Sequence, residues 1–483
     1  MNKPINQTLM VITLAVVAAT AGESRADAAE AKPTQRLSAA AEPDPAMRYR
    51  FWPAPHERKQ SNAAPFFLRA VLILTENQQG QNVFNPTQYD QWLDGPWAAE
   101  DADEIASFLD NYQIVFNELE RARTRMEVDY PIDLNELPLI ESIELRLPEV
   151  QESRTLVRLL YLRSRLEMHS GRWDDYAETV QTMFRLADIV ARAGDTLVHQ
   201  LVSIAIAEQA FRSVEEASGV AGAPNFYWAL ATLPETLGDL RRSLEYESGL
   251  AIKAAGDAMD LPDEPIGADA SRAHLHELLD VVRHLFAYDR GLREENMGLK
   301  LGMLAILGGE EAARETLRTT ERWQDRVDEL SSAEAILRAT AVRLRRQTDD
   351  IFKWHHLPKA MREPYLRHAT GIIADDDEPL AEQWELANVL LSKLMPALHA
   401  AEGASRRLRQ TQARLVTLQA IRMAAHHDGR LPEKIDELLP PAWPDPSSGK
   451  PFQYSRTGLI TAVLSGEPRY IADENTFLLE LVK

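Results

Sequence analysis

Three pairs of closely spaced histidines are the residues of this chain best suited to metal chemistry. They are His274 with His276, His355 with His356, and His426 with His427. A zinc site on a helix typically needs two ligands one turn apart with a glutamate between them, whereas adjacent helical residues point about 100° apart. The spacing of one turn is approached by His276 with Asp280 and by His199 with Ser203. The pattern favours capping or surface histidines over a metal site, and we assign no metal ligand.

The sequence lacks the short motifs that mark common catalytic centres. It contains no G-x-S-x-G elbow, no glycine-rich phosphate loop and no cysteine, which excludes a thiol nucleophile, a thiolate metal site and a disulfide. Carboxylate pairs such as Glu245 with Glu247 could act as acid and base, but among 74 acidic residues such proximity is uninformative. We therefore assign no catalytic residue and no cofactor, and the sequence favours a protein without enzymatic activity.

An aromatic run, "PNFYWALATLP", is the candidate binding feature. Three consecutive aromatic residues cannot all face one core, so Asn225, Tyr227 and Trp228 are candidates to line a groove. The alternative is that the run plugs the space between helices and fixes the turn after Ala217.

The charge of the chain argues against nucleic acid as a partner. Lysine plus arginine number 53 and aspartate plus glutamate number 74, so the formal net charge is 53 − 74 = −21. A protein of that charge repels a phosphate backbone.

The N-terminus resembles a secretory signal peptide. An apolar run from Leu9 to Gly22 follows Lys3, and small-residue sites occur at Ala26 to Ala28 and Ala29 to Ala31. We expect residues 1–28 to be removed and the mature chain to lie in the periplasm or cell envelope. A retained anchor is the alternative, although the run is shorter than the roughly 20 residues of a membrane span.

Helical periodicity dominates residues 63–403, which we predict to form an α-helical array. Residues 29–62, which begin with a stretch rich in Ala, Pro and Glu, predict a disordered or extended linker. At the start of one helix, Ser331 with Glu334 predicts a reciprocal capping box. The predicted helices, whose apolar residues recur in steps of three or four, are Asp103 to Arg123, Val150 to His169, Trp173 to Ala193, Thr196 to Ala217, Leu233 to Ala258, Ser271 to Leu307, Ser332 to His356, Glu382 to Ala400 and Ala404 to His427.

The stretch "SGRWDDYA" is similar to the turn between the two helices of a tetratricopeptide repeat. Glycine ends the first helix, and an aromatic residue and an alanine let the second pack closely. The 34-residue period of that family does not recur. The predicted fold is therefore mainly α, an irregular tetratricopeptide-like array with a small C-terminal α+β element.

The C-terminal segment, residues 404–483, changes character after a long helix. Gly429 predicts a left-handed helix end, "RLPEKIDELLPP" predicts a short helix, and two short strands follow at Phe452 to Ser455 and Leu459 to Leu464. Because this β element is too small to bury its own core, we expect it to dock on the preceding helix. Its proline-flanked loop and "LSGEP" resemble the globular head of type II secretion pseudopilins, although the N-terminal leader of that family is absent.

A broader resemblance runs through most of the mature chain. The stretches "NAAPFFLRAVLIL", "LLYLRSRLEMHSGRWDDYAETV", "DDIFKWHHLP" and "DPSSGKPFQY" resemble a family of exported helical proteins of planctomycete-type bacteria. The resemblance implies no activity and no catalytic residues. We expect an exported, non-enzymatic scaffold that binds a protein or peptide. The alternatives are an envelope hydrolase with an unrecognised site in the array and a component associated with a secretion system.

Overall fold

The computed structural model divides the chain into two compact units. It describes residues 33–80, 86–97, 101–130, 147–255, 261–287, 309–357, 386–466 and 475–482. Those within 240–401 form the helical unit, and those within 20–133, 147–239 and 402–483 form the mixed unit. The predicted signal peptide lies outside the described residues. Within them, no helix combines the length and the apolar character needed to cross a membrane.

Three long helices that pack on one another form the centre of the mixed unit. The helices described there before residue 240 are α1 (Ala64–Gly80), α2 (Pro86–Asp94), α3 (Asp101–Asp110), α4 (Gln113–Arg123), α5 (Pro148–His169), α6 (Trp173–Ala193), α7 (Leu197–Ala217) and α8 (Tyr227–Ala231). Helices α5, α6 and α7 contact one another, while α1 packs on α5 and α4 packs on α6. The ends of α6 agree with the prediction, and those of α5 and α7 differ from it by one or two residues.

A glycine turn joins α5 to α6, as the sequence predicts. Gly171 adopts a φ of +66°, a left-handed conformation that glycine takes without strain. The amide of Arg172 donates to the carbonyl of Glu167 (2.9 Å) and that of Gly171 to the carbonyl of Met168 (3.1 Å), which is the Schellman pattern of a helix end. The likeness to a tetratricopeptide repeat stays a prediction.

The segment predicted as one helix from Asp103 to Arg123 forms two helices, α3 and α4. A turn at Asn111 and Tyr112 separates them. The side-chain amide of Asn111 donates to the carbonyls of Ser107 (3.2 Å) and Phe108 (3.1 Å) and so satisfies carbonyl groups at the end of α3.

The helical unit is described in part. Its helices include α9 (Arg241–Ala255), α10 (Ala268–Ala287), a helical stretch at 309–318 and α11 (Ser332–Phe352), which contacts both α9 and α10. The hydroxyl of Ser331 accepts from the amide of Glu334 (3.2 Å), so half of the predicted capping box is confirmed. The Glu334 carboxylate accepts instead from the amide of Ile266 (3.0 Å), so the reciprocal half is wrong.

One helix, α12 (Leu386–Asp428), replaces the last two predicted helices. Its residues up to Ala401 belong to the helical unit, and its residues from Glu402 onward belong to the mixed unit. Gly403 lies within the helix without ending it. The helix stops at Gly429, whose φ of +65° confirms the predicted left-handed end.

A four-stranded sheet of three C-terminal strands and one strand from near residue 34 confirms the mainly α fold with a small α+β element. Its strands are β1 (Thr34–Ser38), β4 (Gln453–Arg456), β5 (Thr461–Ser465) and β6 (Thr476–Val482), in the spatial order β1-β6-β5-β4. Strand β1 runs parallel to β6, and the other neighbours are antiparallel. A separate parallel pair joins β2 (Lys59–Asn62) to β3 (Arg125–Glu127).

The predicted linker, residues 29–62, is in part ordered and packed, although residues 41–48 are mostly exposed. Strand β1 lies inside it, and the aromatic residues Tyr49, Phe51 and Trp52 are buried. The Phe51 ring lies 5.2 Å from that of Phe226 between centroids. The composition of this segment indicates disorder. The segment is nevertheless ordered, because it packs on partners such as Phe226 that lie more than a hundred residues away in the chain.

The short helix predicted within "RLPEKIDELLPP" is not formed; turns take its place. Prolines at 432, 440 and 441 remove three amide donors. The amide of Leu431 instead donates to the carbonyl of Leu459 (2.9 Å), which joins this segment to the β4–β5 connection.

Candidate functional site: the buried polar seam of the long helix

The three predicted groove residues occupy two different environments. Asn225 and Tyr227 are buried. The Asn225 amide donates to the carbonyl of Gln419 (2.8 Å), and the Tyr227 hydroxyl donates to the carbonyl of Pro441 (2.8 Å). Trp228 is half-buried, and its indole N–H donates to Glu42 (2.6 Å). Packing between segments is thus the role that this geometry favours for Asn225 and Tyr227.

The histidines singled out by spacing do not converge. His276 lies 3.6 Å from Asp280 on the exposed face of α10, and the rings of His426 and His427 are 6.1 Å apart between centroids. In the part of the chain that the structure describes, no three His, Asp or Glu side chains are placed to hold a metal ion together.

His199 is the buried histidine of the mixed unit. Its Nδ1 lies 2.8 Å from the hydroxyl of Thr196, the residue that caps α7, and its ring packs against Gly194. Burial lowers the pKa of His199 to about 4. The imidazole is therefore neutral at ordinary pH and acts as a packing group.

Polar side chains follow the part of α12 that belongs to the mixed unit, and they are buried. We call this set the polar seam; its members are Ser405, Gln410, Arg414, Thr417, Gln419 and Arg422. Each of them reaches a group on another segment of the chain, so one helix connects parts of the sequence that are far apart.

Arg422 makes the densest contacts of the polar seam. Its guanidinium donates to the carbonyl (2.7 Å) and hydroxyl (3.0 Å) of Ser38, and to the carbonyls of Ala223 (2.8 Å) and Pro224 (3.0 Å). The fifth bond goes to the side chain of Gln419 (2.7 Å). All five N–H groups are thus satisfied by neutral acceptors. Burial lowers the pKa of Arg422 to about 9, so the group keeps its charge at neutral pH.

Gln419 extends the seam into the connector that follows α7. Its side-chain amide donates to the hydroxyl of Ser218 (2.8 Å), and its side-chain oxygen accepts from the amide of Phe226 (3.0 Å). Because both ends of this amide are occupied, the connector is fixed against α12.

Other members of the seam bind α7 and the C-terminal element. Arg414 forms a bidentate ion pair with Glu215 (2.7 and 3.1 Å). Thr417 exchanges two hydrogen bonds with the main chain of Trp443 (3.1 and 3.2 Å). The docking of the C-terminal segment on this helix, which the sequence predicted, therefore uses polar groups.

The contacts of the polar seam hold separate segments of the mixed unit together. Both arginines of the seam are buried. Arg422 donates mainly to main-chain carbonyls, and Arg414 donates to the carboxylate of Glu215. The sequence signal was a helix with Arg, Gln and Thr every few residues, which by itself is typical of a solvated face.

The connection between β4 and β5 carries apolar side chains into solvent. We call Leu459 and Ile460 the hairpin tip; their exposed fractions are 63% and 45%. The carbonyl of Leu459 accepts from Leu431 (2.9 Å), and that of Ile460 accepts from Leu481 (2.8 Å). The main chain of the tip is thus held from two sides while its side chains point outward.

Comparison with known proteins finds no matching family model, no matching curated protein and no matching solved structure.

Proposed function

We propose that this chain is an exported, non-enzymatic protein that binds another protein, and that it does so through the hairpin tip. The observation that carries the proposal is the exposure of Leu459 and Ile460 on a main chain that is hydrogen-bonded on both sides. Large apolar side chains held rigidly in solvent gain free energy when a partner covers them, and little conformational entropy is lost on binding.

The surroundings of the tip define the chemistry of the partner. Arg456 donates to the carbonyl of Leu431 (3.0 Å) and pairs with Glu433 (2.7 Å), and Lys434 lies 3.9 Å from Glu437. These charges are mixed in sign, so the rim has no strong preference for an acidic or a basic surface. The partner we propose therefore offers an apolar recess with a polar edge, the usual composition of a protein interface.

Export is the second part of this proposal, and it rests on the apolar run from Leu9 to Gly22. N-terminal sequencing of the protein from its native envelope should begin between Asp27 and Lys32. Recovery of Met1 or Asn2 on the exported form would contradict cleavage.

The binding proposal is tested with two matched double variants of the mature protein. Leu459→Ser with Ile460→Ser removes the tip, whereas Leu72→Ser with Ile114→Ser removes two equally exposed apolar residues of α1 and α4, which are 58% and 62% exposed. Each protein is used to capture partners from the native envelope. We expect one partner to be lost with the tip variant and retained with the control. Identical sets of captured proteins would contradict the proposal.

A further inference from the structure

The N-terminal strand occupies a slot that recognises its main chain. Strand β1 pairs in parallel with β6 over five residues, from Thr34 opposite Leu478 to Ser38 opposite Val482. Within β1 only Leu37 and Ser38 are buried. Most of the binding is thus made by peptide groups, with one apolar side chain supplying the burial.

The opposite wall of this strand slot comes from the end of α7. The amide of Ser38 donates to the carbonyl of Ser218 (2.8 Å), and the side chain of Gln35 donates to the carbonyl of Glu215 (3.1 Å). A side chain at Gly219 would have its Cβ 3.1 Å from the carbonyl oxygen of Arg36, so the wall can approach closely because this residue is glycine.

Arg422 closes the slot at its far end. It holds the carbonyl and the hydroxyl of Ser38, and its own carbonyl accepts from the amide of Ala40 (3.2 Å). The complete slot therefore takes an extended segment in which a leucine, buried at Leu37, is followed by serine.

A tether connects β1 to the rest of the mixed unit. Residues 41–48 are mostly exposed, and the next buried residue is Tyr49. Glu42 and Arg48 contact Trp228 and Asp174 at the surface. When extended, eight residues span up to about 26 Å, which is the reach that the tether gives to β1.

We propose that β1 is an exchangeable strand and that two copies of this protein form a dimer by each placing residues 33–40 in the strand slot of the other. A second copy is the occupant that the contacts fit, because its segment reproduces every hydrogen bond and the burial of Leu37. Only the tether changes conformation, so exchange costs little beyond association and rises with concentration. This inference concerns a different surface from the hairpin tip and does not depend on the proposed partner.

Because the chain contains no cysteine, a pair of introduced cysteines can report the exchange without competing thiols. Arg36 and Glu480 are register neighbours with exposed side chains, so Arg36→Cys with Glu480→Cys places two thiols across the β1–β6 pair. A short bifunctional thiol reagent links the two thiols within one chain if β1 occupies the strand slot of its own chain. It links them between chains if β1 occupies the slot of the other copy. After refolding at increasing concentration, we expect the covalent dimer to increase at least several-fold, and light scattering of the unaltered protein should show the same dimer.

A matched pair in the hairpin provides the control. Gln453→Cys with Ser465→Cys joins β4 to β5, which are adjacent in the chain, so its link should stay within one chain at every concentration. The exchange proposal is overturned if Arg36→Cys with Glu480→Cys also gives only links within one chain while the unaltered protein stays monomeric. Dimers of the unaltered protein without a covalent link between chains in the Arg36→Cys, Glu480→Cys variant would equally overturn it, since they would show that another surface associates.

Discussion

Each unit of the molecule contains a buried arginine that holds main-chain carbonyls, but the two arginines are balanced differently. In the helical unit, Arg338 pairs with Glu334 (2.8 and 3.0 Å), donates to the carbonyls of Pro262 and Glu264, and stacks 4.0 Å from the centroid of the Trp323 ring. In the mixed unit, Arg422 has five neutral acceptors.

The two arginines differ in how far away in the sequence their partners lie. Glu334 lies four residues before Arg338 on one helix, so their pairing forms as soon as that helix does. Ser38 lies 384 residues from Arg422, so their contact needs the whole chain. The mixed unit thus relies on one unpaired cation to join its two ends, whereas the helical unit uses a local ion pair to hold one connector.

The largest effect is expected from Arg422→Met. The change leaves the buried carbonyls of Ser38, Ala223 and Pro224 without donors, at about 1–3 kcal/mol each, so the free energy of unfolding of the mixed unit should fall by several kcal/mol. Denaturant titration checks this. Arg422→Lys keeps the charge but offers fewer donors, and it should lie between the parent and Arg422→Met. A parent-like midpoint for Arg422→Met would refute the claim that Arg422 joins the two ends of the mixed unit.

A comparable loss is expected in the helical unit when its arginine is removed. Arg338→Met leaves Glu334 buried without its cation, which costs about 3–5 kcal/mol. Adding Glu334→Met removes the stranded charge and should recover part of that loss. The same denaturant titrations compare the two variants. If the double variant is less stable than Arg338→Met, the unpaired Glu334 carboxylate does not destabilise the single variant. That result would contradict the difference drawn between the ion-paired Arg338 and Arg422 with its neutral acceptors.

The free energy of unfolding of the mixed unit should depend on pH through His199. The folded-state pKa is about 4 and the ordinary value is 6.5, so between these values the unfolded chain binds the proton that the folded chain excludes. Stability from this group should therefore fall as the pH is lowered from 6.5 toward 4, by at most about 3 kcal/mol. His199→Gln should flatten that slope. An unchanged slope in the variant would show that other groups produce it.

The smallest effect is expected from Trp173→Ala at the start of α6. Trp173 is half-buried beside Tyr176 (5.6 Å between ring centroids), so its loss should cost less than the roughly 3–5 kcal/mol of a fully buried aromatic residue. Phe226→Ala, at a fully buried position that contacts the same cluster, is the reference and should cost that full amount. Thermal unfolding compares the two, and equal losses would mean that Trp173 is more buried in solution.

The features that could be predicted from the sequence are those whose causes are local. The stripe of α6, the caps at Ser331 and Gly429, and the β4–β5 hairpin each depend on residues close in the chain. Strand β1 and the polar seam could not be predicted, because Leu37, Ser38 and Arg422 take their partners from segments hundreds of residues away. The groove at Asn225 and Tyr227 is inferred from residue type, whereas their hydrogen bonds depend on distant residues, Gln419 of the long helix and Pro441 beyond its end.

The most direct test of the account is hydrogen exchange at the amides of Ser38 and Leu478, which bond to Ser218 (2.8 Å) and Pro33 (3.0 Å) at the two sides of the strand slot. In Arg422→Met, both should exchange at least ten-fold faster, while the amides of α11 in the helical unit should keep their rates. Unchanged protection at Ser38 and Leu478 would contradict the claim that one buried arginine joins the two ends of the mixed unit.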